Sequence, residues 1–256
     1  MHGVTGRPGL LVVAALPLLA AAAWAQPPPH FEPGDLLYQD EFADTSHWLV
    51  EQQPGGMVTV REGALVIDDA GGCTVWLRKE IAAPVIITYE ATVRAAGGPH
   101  DRVSDLNCFW MATDPAAPAG SVPANVTRRR GAFADYDSLR LYYVGCGGNT
   151  NTTTRFRRYT GTGARPLLPE HDRTAPEFLL RGNTAYRITL VAAGGRAEFF
   201  RDGRAIFEYA DPDPLTRGWF GFRTVHSRIE IRHFRVWKAR APETVKPPAH
   251  GNAANS

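Results

Sequence analysis

The 256-residue chain carries 28 Lys and Arg residues against 26 Asp and Glu residues, which gives a formal net charge of +2. This near balance argues against a nucleic-acid-binding protein, whose composition is usually strongly basic. The basic residues are nevertheless unevenly distributed, with runs at 128–130 (RRR) and 155–158 (RFRR). An anionic ligand would explain these runs, and so would a solvated loop.

Residues 1–25 have the three parts of a secretory signal peptide. Arg7 supplies the positive start, residues 10–22 form an apolar run, and Ala23-Trp24-Ala25 fits the small-x-small cleavage rule. The run is short for a membrane span, and prolines follow it almost at once. The sequence therefore predicts cleavage after Ala25 and a secreted or periplasmic protein that has no membrane contact after cleavage.

The remaining chain shows short runs of β-branched and aromatic residues between Gly, Pro, Asp and Asn, and no convincing amphipathic helix. Its length suits one domain of ordinary size. Many short strands without helices between them predict an all-β sandwich or barrel. The predicted strands are 35–42, 57–60, 63–68, 73–79, 85–95, 104–113, 138–145, 154–160, 184–193, 195–201, 204–209, 217–225 and 228–238.

Two connections between these strands differ in kind. Asp202-Gly203 lies between two apolar runs, which predicts a tight hairpin over 199–207. Residues 114–137 are too long and too rich in Pro and Ala for a hairpin, so they are predicted to form a functional loop or lid.

Side chains alternate between the two faces of a strand, so each predicted strand assigns its residues to a core face or an outer face. The predicted core residues are Leu106, Cys108, Trp110, Leu141, Tyr143, Phe156, Ile188 and Phe220. If the strands are neighbours in one sheet, its outer face carries Glu90, Asp105, Asn107, Arg140, Tyr142, Arg155, Arg157 and Tyr159. Planar donors and aromatic rings of this kind bind sugar hydroxyls and carboxylates.

Four sequence blocks carry a resemblance to known proteins. Residues 37–42 (LYQDEF) with His47-Trp48, and residues 218–223 (GWFGFR) with the strand that follows, resemble the first and last strands of concanavalin A-like lectins and glucanases. Residues 101–115 (DRVSDLNCFWMATDP) and 141–159 (LYYVGCGGNTNTTTRFRRY) resemble signature blocks of a bacterial family of unknown function found among polysaccharide-utilisation genes.

The resemblance implies an antiparallel two-sheet jelly-roll sandwich, of the concanavalin A-like kind, and a polysaccharide or oligosaccharide as partner. The jelly-roll domain is predicted over 35–238, after a Pro-rich linker at 26–34 and before a disordered tail at 239–256. The fold leaves room for a structural calcium ion, but no Asp-x-Asp-x-Asp run supports one, so no cofactor or metal is predicted. Cys73, Cys108 and Cys146 allow at most one disulfide within a monomer, and the sequence leaves their pairing open.

The outer-face residues favour a polysaccharide lyase that cleaves a uronate-containing polymer by β-elimination. In this hypothesis Arg157 and Asn107 neutralise the uronate carboxylate, while Tyr142 and His171 share the base and acid roles. Trp110 or Tyr159 would then pack against sugar rings, although alternation places Trp110 in the core. The remaining predicted substrate-binding residues are Glu90, Asp105, Arg140, Asn149, Asn151 and Arg155.

Two alternatives stay open at this point. A non-catalytic carbohydrate-binding module needs aromatic rings and donors but no poised base. A glycoside hydrolase, including the keto-sugar hydrolases on this fold, needs two carboxylates, and Glu90 with Asp105 would be the candidate pair. The excess of Arg and Tyr over acids on the predicted outer face favours elimination.

Overall fold

The computed structural model describes residues 30–242, so the predicted signal peptide, residues 26–29 of the predicted linker and most of the predicted tail lie outside the described residues. The sixteen strands are β1 Glu32–Asp40, β2 Trp48–Gln52, β3 Met57–Arg61, β4 Ala64–Asp68, β5 Cys73–Leu77, β6 Ile81–Ala82, β7 Val85–Val93, β8 Leu106–Thr113, β9 Arg140–Gly147, β10 Thr153–Thr160, β11 Asp172–Arg173, β12 Ala185–Ala193, β13 Arg196–Arg201, β14 Arg204–Ala210, β15 Arg217–Thr224 and β16 Arg228–Arg240. Strand β1 therefore begins inside the segment predicted as a linker.

The strands form two antiparallel sheets of eight strands each, which confirms the all-β jelly-roll sandwich. Sheet I has the order β14-β13-β12-β7-β16-β4-β3, with β1 also paired to β16. Sheet II has the order β11-β10-β9-β8-β15-β5-β2, with β6 also paired to β15. In the described part of the chain, no helix is long and apolar enough to cross a membrane.

The hairpin predicted over 199–207 is confirmed. Arg201 pairs with Arg204, and the two turn residues between them, Asp202 and Gly203, have φ values of 53° and 78°. Positive φ at both central residues is the geometry of a primed turn, whose twist matches that of the flanking strands. The Asp-Gly pair in the sequence is therefore the cause of this connection.

The main core fills the space between the two sheets. It includes five of the predicted residues on sheet II, Leu106, Cys108, Trp110, Phe156 and Phe220, together with Ile188 on sheet I. Cys73, Cys108 and Cys146 are free thiols buried in this core. Their burial raises the pKa of each thiol, and a neutral buried thiol acts as a small apolar side chain.

A second apolar cluster lies on the opposite, outward face of sheet II. Leu141 and Tyr143 belong to it, so the prediction that they face the main core is wrong. The register of β9 sets this outcome, because Tyr142 pairs with Trp110 and Val144 pairs with Cys108, and these four side chains turn inward. Both faces of β9 are buried, so its sequence lacks the polar–apolar alternation that identifies a core face.

Residues 114–139, called here the covering segment, bury that outward face. The segment contains short 3₁₀ turns at Pro118–Gly120, Pro123–Arg128 and Phe133–Tyr136. Further 3₁₀ turns lie at Pro169–His171 and Pro176–Phe178. Val122 and Tyr136 of the covering segment pack against Trp76, Phe109 and Leu141 of sheet II. The loop predicted as a lid is therefore a fixed layer over part of the sheet.

Candidate functional site

A pocket of about 430 Å³ lies on the outward face of β8, β9 and β10, beside the covering segment. Gly145 of β9 forms the centre of its floor, because it pairs with Asn107 on one side and with Arg155 on the other. Tyr143, two residues before Gly145 on β9, pairs with Arg157 of β10. These strand pairings bring Asn107, Arg155 and Arg157 together on one surface, as the sequence predicted.

The ring of Tyr143 leans along the strand over Gly145. A Cβ atom placed on Gly145 would lie 2.5 Å from the Tyr143 hydroxyl oxygen, so only glycine leaves room for this ring position. The hydroxyl makes no hydrogen bond with any other described residue and is left for a ligand. Sequence reasoning assigned the neighbouring Tyr142 to this face, and the pair Tyr143-x-Gly145 was the signal that it missed.

Four guanidinium groups line the pocket, those of Arg102, Arg155, Arg157 and Arg165. Three of them have a carboxylate partner. Arg102 lies 2.9 Å from Asp105, Arg155 donates two hydrogen bonds of 2.9 Å to Asp172, and Arg165 lies 3.0 Å from Asp137.

Arg157 differs from these three because it has no carboxylate partner among residues 30–242. Its Nη1 donates to the backbone oxygen of Arg165. Burial lowers the pKa of Arg157, and the positive charges of Arg155 and Arg165 lower it further. An arginine stays charged in proteins all the same. The pocket therefore holds a partly buried cation for which a bound anion would be the natural partner.

Asn107 and Asp105 form the floor next to these arginines. The Asp105 carboxylate accepts hydrogen bonds from Asn107 Nδ2 at 3.2 Å, Ser104 Oγ at 2.6 Å and Arg102 Nη2 at 2.9 Å. These three hydrogen bonds hold the Asp105 carboxylate in a fixed position. By contrast, Oδ1 of Asn107 is buried without a hydrogen-bond partner in the described structure, which is uncommon for a buried polar atom.

Arg223 of β15 lies beneath the covering segment and was not predicted as a site residue. It is fully buried, and its Nη1 donates to Thr74 Oγ1 and to the Gly131 carbonyl oxygen, both at 3.0 Å. Its guanidinium carbon lies 5.0 Å from the Phe133 ring centroid and 4.8 Å from that of Tyr136. Cation–π contacts of this kind fix both rings, and Phe133 is one wall of the pocket.

Arg129 anchors the other end of the covering segment. Its Nε donates to Glu51 at 2.9 Å, and its Nη1 donates to Asp114 at 2.8 Å. Burial raises the pKa of Glu51, and the nearby Arg129 opposes this shift. Arg129 is a buried ion-pair residue. The prediction that an anionic ligand explains the 128–130 run is therefore wrong for Arg129.

The turn after β9 forms the far wall of the pocket. Asn149, Thr150 and Asn151 all have left-handed backbone conformations, with φ between 52° and 59°. Asn149 lines the pocket, as predicted. Asn151 does not line it, because its side chain donates to the Leu180 carbonyl oxygen at 2.9 Å and accepts from the Leu180 N–H at 2.8 Å. Its predicted sugar contact is wrong, since these two bonds occupy the amide.

The two residues predicted as base and acid both lie outside the pocket. Tyr142 faces the main core, where its hydroxyl donates to Asp211 at 2.7 Å and accepts from the Leu215 N–H at 3.0 Å. His171 is buried with its ring 4.9 Å from that of Phe156, a core residue on the inward face of β10. Arg155 and Arg157 occupy the outward face of the same strand, so His171 and the arginines lie on opposite sides of sheet II.

Three further predicted binding residues are also placed elsewhere. Glu90 lies on β7 of sheet I, paired with Arg187 and Arg232, so it cannot form a carboxylate pair with Asp105. Arg140 lies at the start of β9 and contacts Asp213 at 2.5 Å. Tyr159 is on the outward face but fully buried against Phe109 and Tyr143. Trp110 is a core residue that packs against Tyr142.

No metal-ligand cluster lies at the pocket among the described residues. Within residues 30–242, the one group of three or more His, Cys, Asp or Glu side chains with converging ligand atoms is His30, Glu198 and Glu208, beside β13 and β14 of sheet I. Arg196 already pairs with both of these glutamates, at 2.7 Å and 3.7 Å.

The family comparison matches residues 67–234 to a domain of unknown function, DUF6250. The chain belongs to the DUF6250 family. This match contains every strand that lines the pocket, from β8 to β10, together with β15. No curated protein sequence matches the chain significantly.

Several solved structures have a similar fold. A Bacillus subtilis protein of unknown function with a galectin-like fold has a TM-score of 0.64 and 18% identity, and the match covers 83% of this chain and 100% of that chain. The carbohydrate-binding module CBM66 from Bacillus subtilis has a TM-score of 0.50 and 12% identity, covering 75% and 96%. An endo-β-1,3-glucanase from Pyrococcus furiosus also gives 0.50 and 12%, covering 84% and 100%. At these identities the likeness establishes the fold.

Proposed function

We propose that this protein binds an acidic saccharide in the pocket on sheet II. The observation that carries the proposal is the state of Arg157, because the other three arginines that line the pocket, Arg102, Arg155 and Arg165, each pair with a carboxylate. Arg157 has no acidic partner among the described residues. A uronate carboxylate would provide that partner through a planar, two-pronged contact with the guanidinium group.

The other pocket groups suit the hydroxyls and the ring of a sugar. Tyr143 lines the pocket, and its hydroxyl is both a donor and an acceptor. The ring of Phe133 offers an apolar face at the pocket wall. Solved proteins with this fold include a carbohydrate-binding module and a glucanase, which supports a saccharide as the ligand class.

Binding is better supported than either of the two reactions. Hydrolysis by the usual route requires two carboxylates, and Asp105 is the only carboxylate among the described residues that line the pocket. β-Elimination requires a base, and both predicted groups, Tyr142 and His171, lie elsewhere. Burial raises the pKa of Tyr143 well above its usual value, so near neutral pH its phenol is a proton donor and does not remove a proton.

We also propose that the protein acts outside the cytoplasm, after loss of residues 1–25. This proposal is supported by the signal-peptide pattern of the sequence. Amino-terminal sequencing of the protein recovered from its producing cells should begin at Gln26. An intact Met1 in all recovered protein would contradict it.

The binding proposal is tested by calorimetric titration with short uronate oligosaccharides and with neutral oligosaccharides of equal length. Arg157→Gln should weaken uronate binding by about tenfold or more, because a hydrogen bond to a charged group is typically worth about 1.5–3 kcal/mol. The matched control is Arg187→Gln, which removes one exposed arginine from sheet I. It should bind like the unaltered protein.

Two results would overturn the binding proposal. One is the absence of binding to every uronate oligosaccharide tried, and the other is an equal effect of the two arginine substitutions. The same mixtures are followed by ultraviolet absorbance, because release of an unsaturated uronate would identify a lyase in place of a binding protein.

A further inference from the structure

We infer that the pocket accepts the end of a saccharide chain and excludes its interior units. This inference rests on the proposed saccharide binding and specifies its mode. A jelly-roll sheet with an open outward face can bind a polymer across its strands. Here three sides of the pocket are closed by parts of the chain that are fixed to the sheet.

The first wall is the covering segment, which occupies the outward face of β15, β5 and β2. Four outward side chains of these strands are buried, those of Arg223, Thr74, Trp76 and Glu51. At Gly131 the segment approaches the Gly72 backbone so closely that a Cβ atom on Gly131 would lie 2.3 Å from the Gly72 oxygen. A saccharide therefore cannot continue from the pocket across β15 toward β2.

Two buried arginines, Arg223 and Arg129, keep this wall in place. Arg223 binds the Gly131 carbonyl oxygen, and Arg129 binds both Glu51 of β2 and Asp114. Removing one partner of a buried ion pair is strongly destabilising, so the wall is a fixed part of the fold.

The second wall closes one end of the pocket along the strand direction. Phe133 of the covering segment meets Arg165 of the loop after β10, with 5.3 Å between the guanidinium carbon and the ring centroid. Arg165 is also bound to Asp137 of the covering segment at 3.0 Å. Arg157 donates to the Arg165 backbone oxygen from below. These contacts join the loop to the covering segment above the strands.

The third wall closes the opposite end. Arg102 joins the turn after β9 to the turn after β15, because it contacts Thr150 Oγ1 at 3.4 Å and the His226 carbonyl oxygen at 3.0 Å. Arg102 also binds Asp105 on the pocket floor. The remaining side, over β10 and β11, has the half-buried side chains of Arg155, Arg157 and Asp172, and none of the three walls extends over it.

A pocket with one open side receives one chain end, and the rest of the polymer leaves over β10 and β11. Its affinity for a saccharide should therefore depend on the terminal units and hardly at all on the total length. An interior unit would have to direct both of its neighbours through the same opening.

The experiment is a calorimetric series with the unaltered protein and oligogalacturonates of one to eight units, with concentrations expressed per molecule. We expect the dissociation constant to become constant at two or three units, within about threefold thereafter. Galacturonate monosaccharide should compete fully with the longest oligomer. Borohydride alters only the reducing end, so weaker binding after reduction assigns that end to the pocket, and unchanged binding assigns the non-reducing end.

A different set of results would overturn the inference. Affinity that rises about tenfold or more between three and eight units would mean that interior units bind along an open groove, and saccharide binding would stand while the end-on mode fell. If no oligogalacturonate binds but oligomannuronates do, the same series is run with those. Failure of every acidic saccharide would overturn the proposed function itself, and the end-on mode with it.

Discussion

Arg223 of β15 and Asn107 of β8 are paired across the strands next to the pocket, and both keep buried polar atoms without a hydrogen-bond partner in the described structure. In Arg223 these atoms are Nε and Nη2, and in Asn107 the atom is Oδ1. Buried polar atoms of this kind are uncommon in folded proteins. Asn107 lines the pocket, whereas Arg223 binds the Gly131 carbonyl oxygen of the covering segment. The pair therefore marks the boundary between the fixed covering segment and the pocket.

Arg223 should position Phe133 through charge as well as shape. We expect Arg223→Met to lower the free energy of unfolding by about 1–3 kcal/mol, because the Gly131 carbonyl oxygen loses its donor. Saccharide affinity should fall with it. The control is Arg217→Met on the same strand, which removes an exposed ion pair with Glu80 and should cost about 1 kcal/mol or less. Urea unfolding measures both, and equal effects would contradict the role given to Arg223.

The close approach of Tyr143 to Gly145 predicts a clash with any side chain at position 145. Gly145→Ala should destabilise the protein by about 1–3 kcal/mol, since the new methyl group displaces the ring. Gly148→Ala is the control, because a Cβ atom at position 148 meets its nearest neighbour at an ordinary 3.6 Å. Tyr143→Phe should partly rescue Gly145→Ala by removing the nearest atom. Equal unfolding midpoints for the two alanine variants would disprove the ring position.

The neighbouring tyrosines should respond to the same substitution in opposite ways. Tyr142→Phe loses hydrogen bonds to Asp211 and Leu215 in the core, so it should reduce stability by about 1–3 kcal/mol and leave saccharide affinity unchanged. Tyr143→Phe loses a free hydroxyl at the pocket, so it should weaken binding by about two- to tenfold with little change in stability. Denaturant unfolding and calorimetry separate the two effects. A larger loss of affinity in Tyr142→Phe would reverse the assignment of the two faces.

Burial should make His171 a source of acid sensitivity. Burial lowers the pKa of His171, and the nearby Arg173 lowers it further, while Glu170 opposes the shift. The unfolded chain then binds a proton at a higher pH than the folded chain does. Stability should therefore fall as the pH drops below about 6.5, the pKa of an unperturbed histidine.

The measurement for His171 is the urea midpoint between pH 5 and pH 8. His171→Gln should be less stable than the unaltered protein at pH 8, with a smaller loss of stability on acidification. Identical pH slopes for the two proteins would show that His171 is not the group responsible.

The sequence predicted the sandwich correctly because turn residues and alternation are local signals. Asp202-Gly203 fixes its hairpin, and Asn107, Arg155, Arg157 and Phe156 lie on the faces that alternation assigned. Prediction failed at β9, where apolar residues line both faces. Leu141 and Tyr143 are covered by residues 114–139, and the alternation within β9 does not show where that irregular segment packs.

The errors at the site have related causes. Glu90 and His171 belong to strands and loops whose neighbours depend on strand order, which alternation does not determine. Arg223 lies in an apolar strand, β15, whose sequence predicts a core strand and does not predict a buried charge. The available signal was that Arg223 shares its face of the strand with Trp219, which predicts an arginine beside buried aromatic rings.

The central claim is that a carboxylate is bound by Arg157. The most direct measurement compares a uronate oligosaccharide with the same compound after each carboxylate has been reduced to a hydroxymethyl group, which keeps the sugar and the linkage. The account predicts that calorimetry will give about tenfold weaker binding or worse for the reduced compound, in line with the loss of one charge-assisted contact. It also predicts that Arg157→Gln will abolish the difference between the two compounds. Equal affinity of the unaltered protein for both would contradict the account.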